Sequence, residues 1–234
     1  ENLSKFYLTR NFNKEDILIK NITNNNLNIF SDNKDFLLGT KMIIDIIKNK
    51  KKTLIFGDYD VDGVSSITIL SSYFRHIGHP FKYLIPDRFI DGYGPNIKLL
   101  EQNLDKEIDN IIFLDCGSNS HNVINYLNKK KIKSIIVDHH IINDLDMPKS
   151  NVIINPTKNN QKFIKNNVCA ATLTFFFVDL INKKLNSKFK LNDYFIFPII
   201  STICDLMPLK GFNRKILTIG FKNPVIKNKG LKKL

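Results

Sequence analysis

The sequence predicts an α/β fold: a mainly parallel sheet of about five strands flanked by helices, with a helical N-terminal lead-in and a mostly helical C-terminal part. Three observations predict it. From Thr53 onward short apolar runs alternate with helix-length stretches, the pattern of strands buried on both faces and joined by crossover helices. The runs end on polar residues, Asp58, Asp115, Asp138 and Asn155, and open α/β sheets bind their ligands at that edge. No internal repeat and no long low-complexity linker divides the chain.

Residues 1–52 read as the lead-in, because Lys14-Glu15-Asp16-Ile17-Leu18-Ile19 and the stretch from Leu37 to Ile47 carry apolar residues at helix spacing. Residues 53–234 read as one main domain. Its expected strands are Thr53 to Gly57, Phe81 to Ile85, Asn110 to Leu114, Lys133 to Val137 and Val152 to Ile154. Val64 to Ile77, Asn96 to Asn103 and Asn119 to Lys130 have the length and spacing of the intervening helices. Beyond Asn155 the apolar stretches Ala170 to Ile181 and Phe195 to Cys204 predict helices, Pro198 starting or kinking the second. Phe175-Phe176-Phe177 is expected in the core rather than as a base-stacking platform, which would place aromatics beside exposed basic residues.

A chain of 234 residues can bury a substantial core. Its formal net charge of +13 suits an anionic partner. Abundant Asn, Lys and Ile weaken that inference, and a run such as Lys48-Asn49-Lys50-Lys51-Lys52 is by itself a solvated face. Cys116, Cys169 and Cys204 are far apart in apolar contexts and are expected as buried thiols. With no basic-then-apolar leader and no apolar run long enough to span a bilayer, no membrane association and a cytoplasmic location are expected. The missing initiator Met and the abrupt end at Leu234 read as a fragment of something longer.

Asp58-Tyr59-Asp60-Val61-Asp62-Gly63 carries the chemistry. In an extended segment alternate side chains share a face, so Asp58, Asp60 and Asp62 can project one way just beyond the first strand. Two unit charges about 4 Å apart cost roughly 4 kcal/mol at an effective dielectric near 20. Converging carboxylates therefore call for cations or protons, and with Asp115, Asp138-His139-His140 and Asp205 the set reads as a site for divalent metal. Taken singly, each acid is a loop residue or a helix cap.

Gly57 to Gly63, Leu114-Asp115-Cys116-Gly117 and Val137-Asp138-His139-His140 resemble the first three motifs of the DHH phosphoesterase superfamily. Pro86-Asp87-Arg88-Phe89 with Asp91-Gly92-Tyr93-Gly94, Ile154-Asn155-Pro156, and Ile203 to Leu209 with Asn213-Arg214 resemble its bacterial RecJ branch, the single-strand-specific 5′-to-3′ DNA exonucleases. The resemblance runs in order from about Leu54 to the C-terminus and marks residues 53–234 as the catalytic domain.

The resemblance implies two divalent metal ions, Mn²⁺ or Mg²⁺, about 3.5 to 4 Å apart, which activate water for in-line attack on a phosphodiester without a covalent enzyme intermediate. Carried over residue by residue, Asp115 bridges the ions, Asp60 with Asp58 completes one, and Asp62, His139 and Asp205 hold the other. Asp138 fixes the imidazole of His139 or His140, and His140 faces the scissile phosphate, so Asp115, Asp138 and His140 are the candidate catalytic residues. Arg88, Tyr93 and Asn155 are the candidate substrate contacts, Arg88 gripping a phosphate through its planar fork. The implied substrate is single-stranded DNA in recombination and repair. A single-strand-binding protein and a recombination helicase are the implied partners of a monomer. The alternatives are a DHH phosphoesterase acting on nano-RNA, small nucleotides or pyrophosphate, and a non-catalytic nucleic-acid-binding scaffold.

One departure stands out. Thr172 occupies a position where the family has glycine. The resemblance implies a second conserved domain and a nucleic-acid-binding barrel beyond the given sequence, so the chain as given is expected to bind metal but to degrade DNA poorly.

Overall fold

The computed structural model describes residues 30–158, 168–222 and 226–233. The apolar runs form β1 (Thr53–Gly57), β2 (Phe81–Leu84), β3 (Asn110–Leu114), β4 (Lys133–Val137) and β5 (Val152–Ile154). They build one sheet in the order β2-β1-β3-β4-β5, every neighbouring pair parallel. Between and beyond them lie α1 (Lys34–Lys48), α2 (Val61–His76), α3 (Ile97–Asn103), α4 (His121–Lys129), α5 (Ala170–Leu185), α6 (Ile196–Cys204) and α7 (Gly211–Lys222).

Alternate strand residues face opposite sides, which splits the interior into two cores. Ile55, Ile112, Leu114, Ile135, Val137 and Ile154 meet α1, α2 and α5 on one face. Leu54, Phe56, Ile111, Phe113, Ile136 and Ile153 meet α3 and α4 on the other. With both faces covered, strands reading as continuous apolar runs are the economical solution. Asn33 starts α1 by accepting from the amides of Asp35 (3.0 Å) and Phe36 (3.1 Å). Although α1 precedes residue 53, it packs against β5 and α5 and buries Phe36, Ile43 and Ile46 in the first core. The expected helical stretch Lys14 to Ile19 lies outside the described residues.

Two boundaries differ from expectation in ways that bear on the site. β2 stops at Leu84, and α2 begins at Val61 rather than Val64. Pro198 sits in the first turn of α6, where its missing N–H breaks no helical bond. Phe175, Phe176 and Phe177 are buried as expected, and so are Cys116 and Cys169. Cys204 is exposed, because it falls in the last turn of α6 beyond the buried residues Ser201 and Thr202. No described helix is long and apolar enough to cross a membrane.

His79 lies at the opposite edge of the sheet and is 6% exposed, its Nε2 2.9 Å from the Thr53 hydroxyl. Burial pushes its imidazole down to about 4, against an ordinary value of 6.5. The folded state holds the neutral ring, so this contribution to stability is complete above pH 6.5 and is lost as pH falls towards 4. Urea denaturation of His79→Gln and the parent across that window should show a difference that changes by roughly 2 kcal/mol. A pH-independent difference would contradict it.

Candidate metal centre

In the parallel ladder Gly57, Leu114, Val137 and Ile154 stand side by side. The next residue of each strand, Asp58, Asp115, Asp138 and Asn155, therefore falls in one row across the carboxyl edge. Three of them extend the ladder: the amides of Asp58, Asp115 and Asp138 donate to Leu114 O (3.3 Å), Val137 O (2.9 Å) and Ile154 O (3.0 Å). The winding direction reverses between β1 and β3, and Asp58 and Asp115 flank that crevice.

The first acidic motif is not an extended segment with three acids on one face. Asp60 is the N-cap of α2, accepting from the amides of Asp62 (2.9 Å) and Gly63 (3.0 Å), and Asp62 lies in the first turn. The physical reason is capping, which satisfies amides that otherwise have no partner at a helix start. The turn is also tight: a Cβ on Gly63 would come 2.3 Å from Asp58 O, so only glycine fits there.

The acids consequently diverge into two groups. Ligand atoms of Asp58, Asp60 and Asp115 lie within 4.8 Å of one another, as do those of Asp62, His139 and Asp205. His139 joins the groups, its Nε2 lying 3.2 Å from Asp115 Oδ1, 3.3 Å from Asp205 Oδ2 and 3.6 Å from Asp62 Oδ2. Asp62 is anchored from behind by α5, accepting from the amides of Ala170 (2.6 Å) and Ala171 (2.8 Å). It supplies the cap that Cys169 does not, since the N-cap thiol makes no capping bond. Thr172 fits the packed start of α5, with its hydroxyl 3.2 Å from Cys169 Sγ.

Whether this donor set fits metal can be judged from its buried atoms. Asp115 Oδ1, His139 Nε2 and Asp205 Oδ2 are buried and have no hydrogen-bond partner among the described residues. Leaving such atoms unpaired is costly. Asp115 Oδ1 and Asp205 Oδ2 flank His139 Nε2 in separate ligand groups, and a set that mixes carboxylate oxygen with imidazole nitrogen matches the shell of divalent ions such as Mn²⁺.

The electrostatics agree. Burial, followed by the charges of Asp62, Asp60 and Asp138, pushes the Asp115 carboxyl up to about 12. Burial likewise raises Asp58, Asp62 and Asp205. Asp138 behaves in the opposite way. Burial would raise it, but the hydrogen bond from His140 and further donors overcome that and hold it at about 2.

Asp138 orients His140 rather than the His139 ring. Its Oδ1 lies 2.7 Å from His140 Nδ1, and it also accepts from the amides of His139 (2.7 Å) and His140 (3.2 Å). Its Oδ2 accepts from the amide of Ser118 (3.0 Å). His140 Nε2 then lies 3.1 Å from the Tyr93 hydroxyl, at the wall of a cavity of about 300 Å³ that Gly94, Pro95, Asn119 and Ser120 also line. Tyr93 thus meets the site through His140. Arg88 is exposed, with its guanidinium carbon 5.5 Å from the ring centre of Tyr59 in the first acidic motif.

Asn155 is the one expected substrate contact that the structure turns inward. It is 1% exposed, and both ends of its amide are engaged by protein groups. Sequence reasoning also passed over Ser118 and Thr157, which complete that network. Their only signal is position, Ser118 following Cys116-Gly117 and Thr157 following Asn155-Pro156.

Comparison with known proteins points the same way. The model of the DHH family, N-terminal domain, matches residues 52–202. The chain is 25% identical over 182 residues to the single-stranded-DNA-specific exonuclease RecJ of Haemophilus influenzae, aligning 74% of this chain with 32% of that protein. It is 28% identical over 189 residues to the enzyme of the same name from Bacillus subtilis, aligning 80% of this chain with 23% of that protein. The chain therefore spans about a third or less of these relatives. Among solved structures, RecJ of Thermus thermophilus in complex with Mn²⁺ superposes with a TM-score of 0.72 at 22% identity, covering 86% of this chain and 29% of that one.

Proposed function

Since this chain belongs to the DHH family, we propose that its carboxylate and histidine cluster hydrolyses phosphodiester bonds with two divalent ions, acting on single-stranded DNA from the 5′ end. The observation that carries this reading is a pair of ligand groups, Asp58, Asp60 and Asp115, and Asp62, His139 and Asp205, joined by Asp115 and His139, which with His140 form a third group. Similarity to RecJ exonucleases supports the substrate. The net charge of +13 favours an anionic polymer.

Asp58, Asp60 and Asp115 would hold one ion, and Asp62, Asp205 and His139 the other, with Asp115 shared. Ions held there would lower the pKa of water and neutralise charge on the attacking and leaving oxygens. The chain's own residues do the rest. Asp62 is fixed by two α5 amides and Asp60 by its capping bonds, so neither acid has to be ordered when metal arrives. The His140 side chain is 41% exposed and held at Nδ1 by Asp138, which leaves Nε2 with Tyr93 at the cavity wall to meet a phosphate oxygen. Arg88 offers two parallel N–H donors to a second phosphate.

Digestion of 5′- and 3′-labelled single strands, short RNA and a nucleotide phosphate ester, each with Mn²⁺, Mg²⁺ or EDTA, tests the proposal. Slow release of mononucleotides from the 5′ end of DNA, abolished by EDTA, is expected. EDTA-resistant cleavage would overturn the mechanism. A tenfold preference in kcat/KM for RNA or the small ester would overturn the substrate.

A further inference from the structure

We infer that Asn155, Ser118 and Thr157 form a positioning clamp for His140, an inference that rests on the functional reading above. The Asn155 side chain is held from both ends. Its Nδ2 donates to Ser118 Oγ (2.8 Å) and to the carbonyl of His140 (2.9 Å). Its Oδ1 accepts from the Thr157 amide (2.8 Å) and lies 2.8 Å from the Thr157 hydroxyl. A primary amide offers two donors and two acceptor positions; both donors and one acceptor position meet protein groups, and the single Thr157 hydroxyl proton serves either Asn155 Oδ1 or the His140 carbonyl.

The bonds close a ring. Asn155 holds Ser118, the Ser118 amide donates to Asp138 Oδ2 (3.0 Å), Asp138 Oδ1 holds His140 Nδ1 (2.7 Å), and the His140 carbonyl returns to Asn155. Thr157 braces it from outside. Its hydroxyl lies 3.1 Å from the same His140 carbonyl and accepts from the Ile142 amide (3.3 Å). Three segments that leave the sheet after β3, β4 and β5 are thereby joined just beyond the end of the ladder.

That location sets the Asn155 and Thr157 part of the ring apart from strand pairing. β3, β4 and β5 are already paired through their backbones up to Leu114, Val137 and Ile154. The ring adds little to strand pairing and fixes instead the peptide on either side of His140. With the His140 carbonyl and Nδ1 both held, the ring plane is set, Nδ1 carries the proton given to Asp138, and Nε2 is directed at Tyr93. Losing a partner that orients a metal-site histidine typically costs about 10- to 100-fold in metal affinity or activity.

The test uses Thr157→Val, Thr157→Ser and Asn155→Ala in the whole chain. The metal-free protein is read by the downfield proton resonance of His140 Nδ1–H, assigned by its loss in His140→Gln, and by thermal melting. The loaded protein is read by Mn²⁺-dependent turnover. Thr157→Val and Asn155→Ala should broaden or shift the resonance and lower turnover about tenfold while the chain still melts cooperatively; Thr157→Ser should restore both. An unchanged resonance in Thr157→Val and Asn155→Ala would overturn the clamp, as would failure of Thr157→Ser to rescue. Because the resonance needs no metal or substrate, EDTA-resistant cleavage or a preference for another substrate would count against the proposed function and leave the clamp to its own readout.

Discussion

Asp115→Asn is expected to make the metal-free chain more stable by about 2 to 4 kcal/mol at neutral pH while abolishing Mn²⁺-dependent hydrolysis. Asp115 is 1% exposed, and burial with the neighbouring acids pushes its carboxyl from 3.8 up to about 12. The folded chain therefore holds a proton that the unfolded chain releases. A raised folded value gives stability that is complete below 3.8 and lost as pH rises towards 12, so folding at neutral pH carries the cost of taking that proton up. Asn is the neutral isostere. It also suits the backbone, because Asp115 has φ 61°, a left-handed conformation that Asn tolerates and Ala adopts at about 1 to 2 kcal/mol. Urea denaturation in EDTA should show the Asn variant's advantage growing with pH. Equal or lower stability at pH 7 would contradict the account.

Asp138→Asn should do the reverse. Asp138 is equally buried, one strand over, yet is held at about 2 because donors surround it. Ser118 and His139 offer their amides, and His140 offers its amide and Nδ1. An amide side chain accepts through one oxygen and turns an NH₂ towards a donor. Breaking such a buried charged network costs about 3 to 5 kcal/mol. A depressed folded value gives stability present above 3.8 and lost as pH falls towards 2, so the variant should also lose part of the parent's acid transition. Melting in EDTA at pH 7 checks the sign, and a variant as stable as the parent would contradict it. Two buried acids in one row of the sheet edge thus respond oppositely to the same neutralisation. The difference lies in what surrounds them, burial with Asp62 and Asp60 for Asp115 and N–H donors for Asp138.

Much of this fold was legible because strands covered on both faces must be apolar throughout. Ile111 to Leu114 and Ile135 to Val137 could hardly be anything else. The residues beyond the strand ends were legible for a related reason, since an acid directly after a buried run has little structural excuse. What escaped was local. Period-two alternation placed Asp58, Asp60 and Asp62 on one face, but the capping oxygen of Asp60 starts α2 at Val61 and sends Asp62 towards α5. Asn155 looked like a ligand-facing residue because it shares the row of Asp58 and Asp115. That its amide is held by Ser118, His140 and Thr157 depends on loops remote in sequence. Spacing carries no trace of that.

The central claim is that the two acid groups form one binuclear centre sharing Asp115. Titration of Mn²⁺ into the metal-free chain, followed by calorimetry, tests it most directly. The account predicts two ions per chain for the parent and loss of at least one in Asp115→Asn, although that variant is the more stable protein. A parent that binds one ion or none, or an Asp115→Asn chain that still takes up two with unchanged affinity, would contradict it.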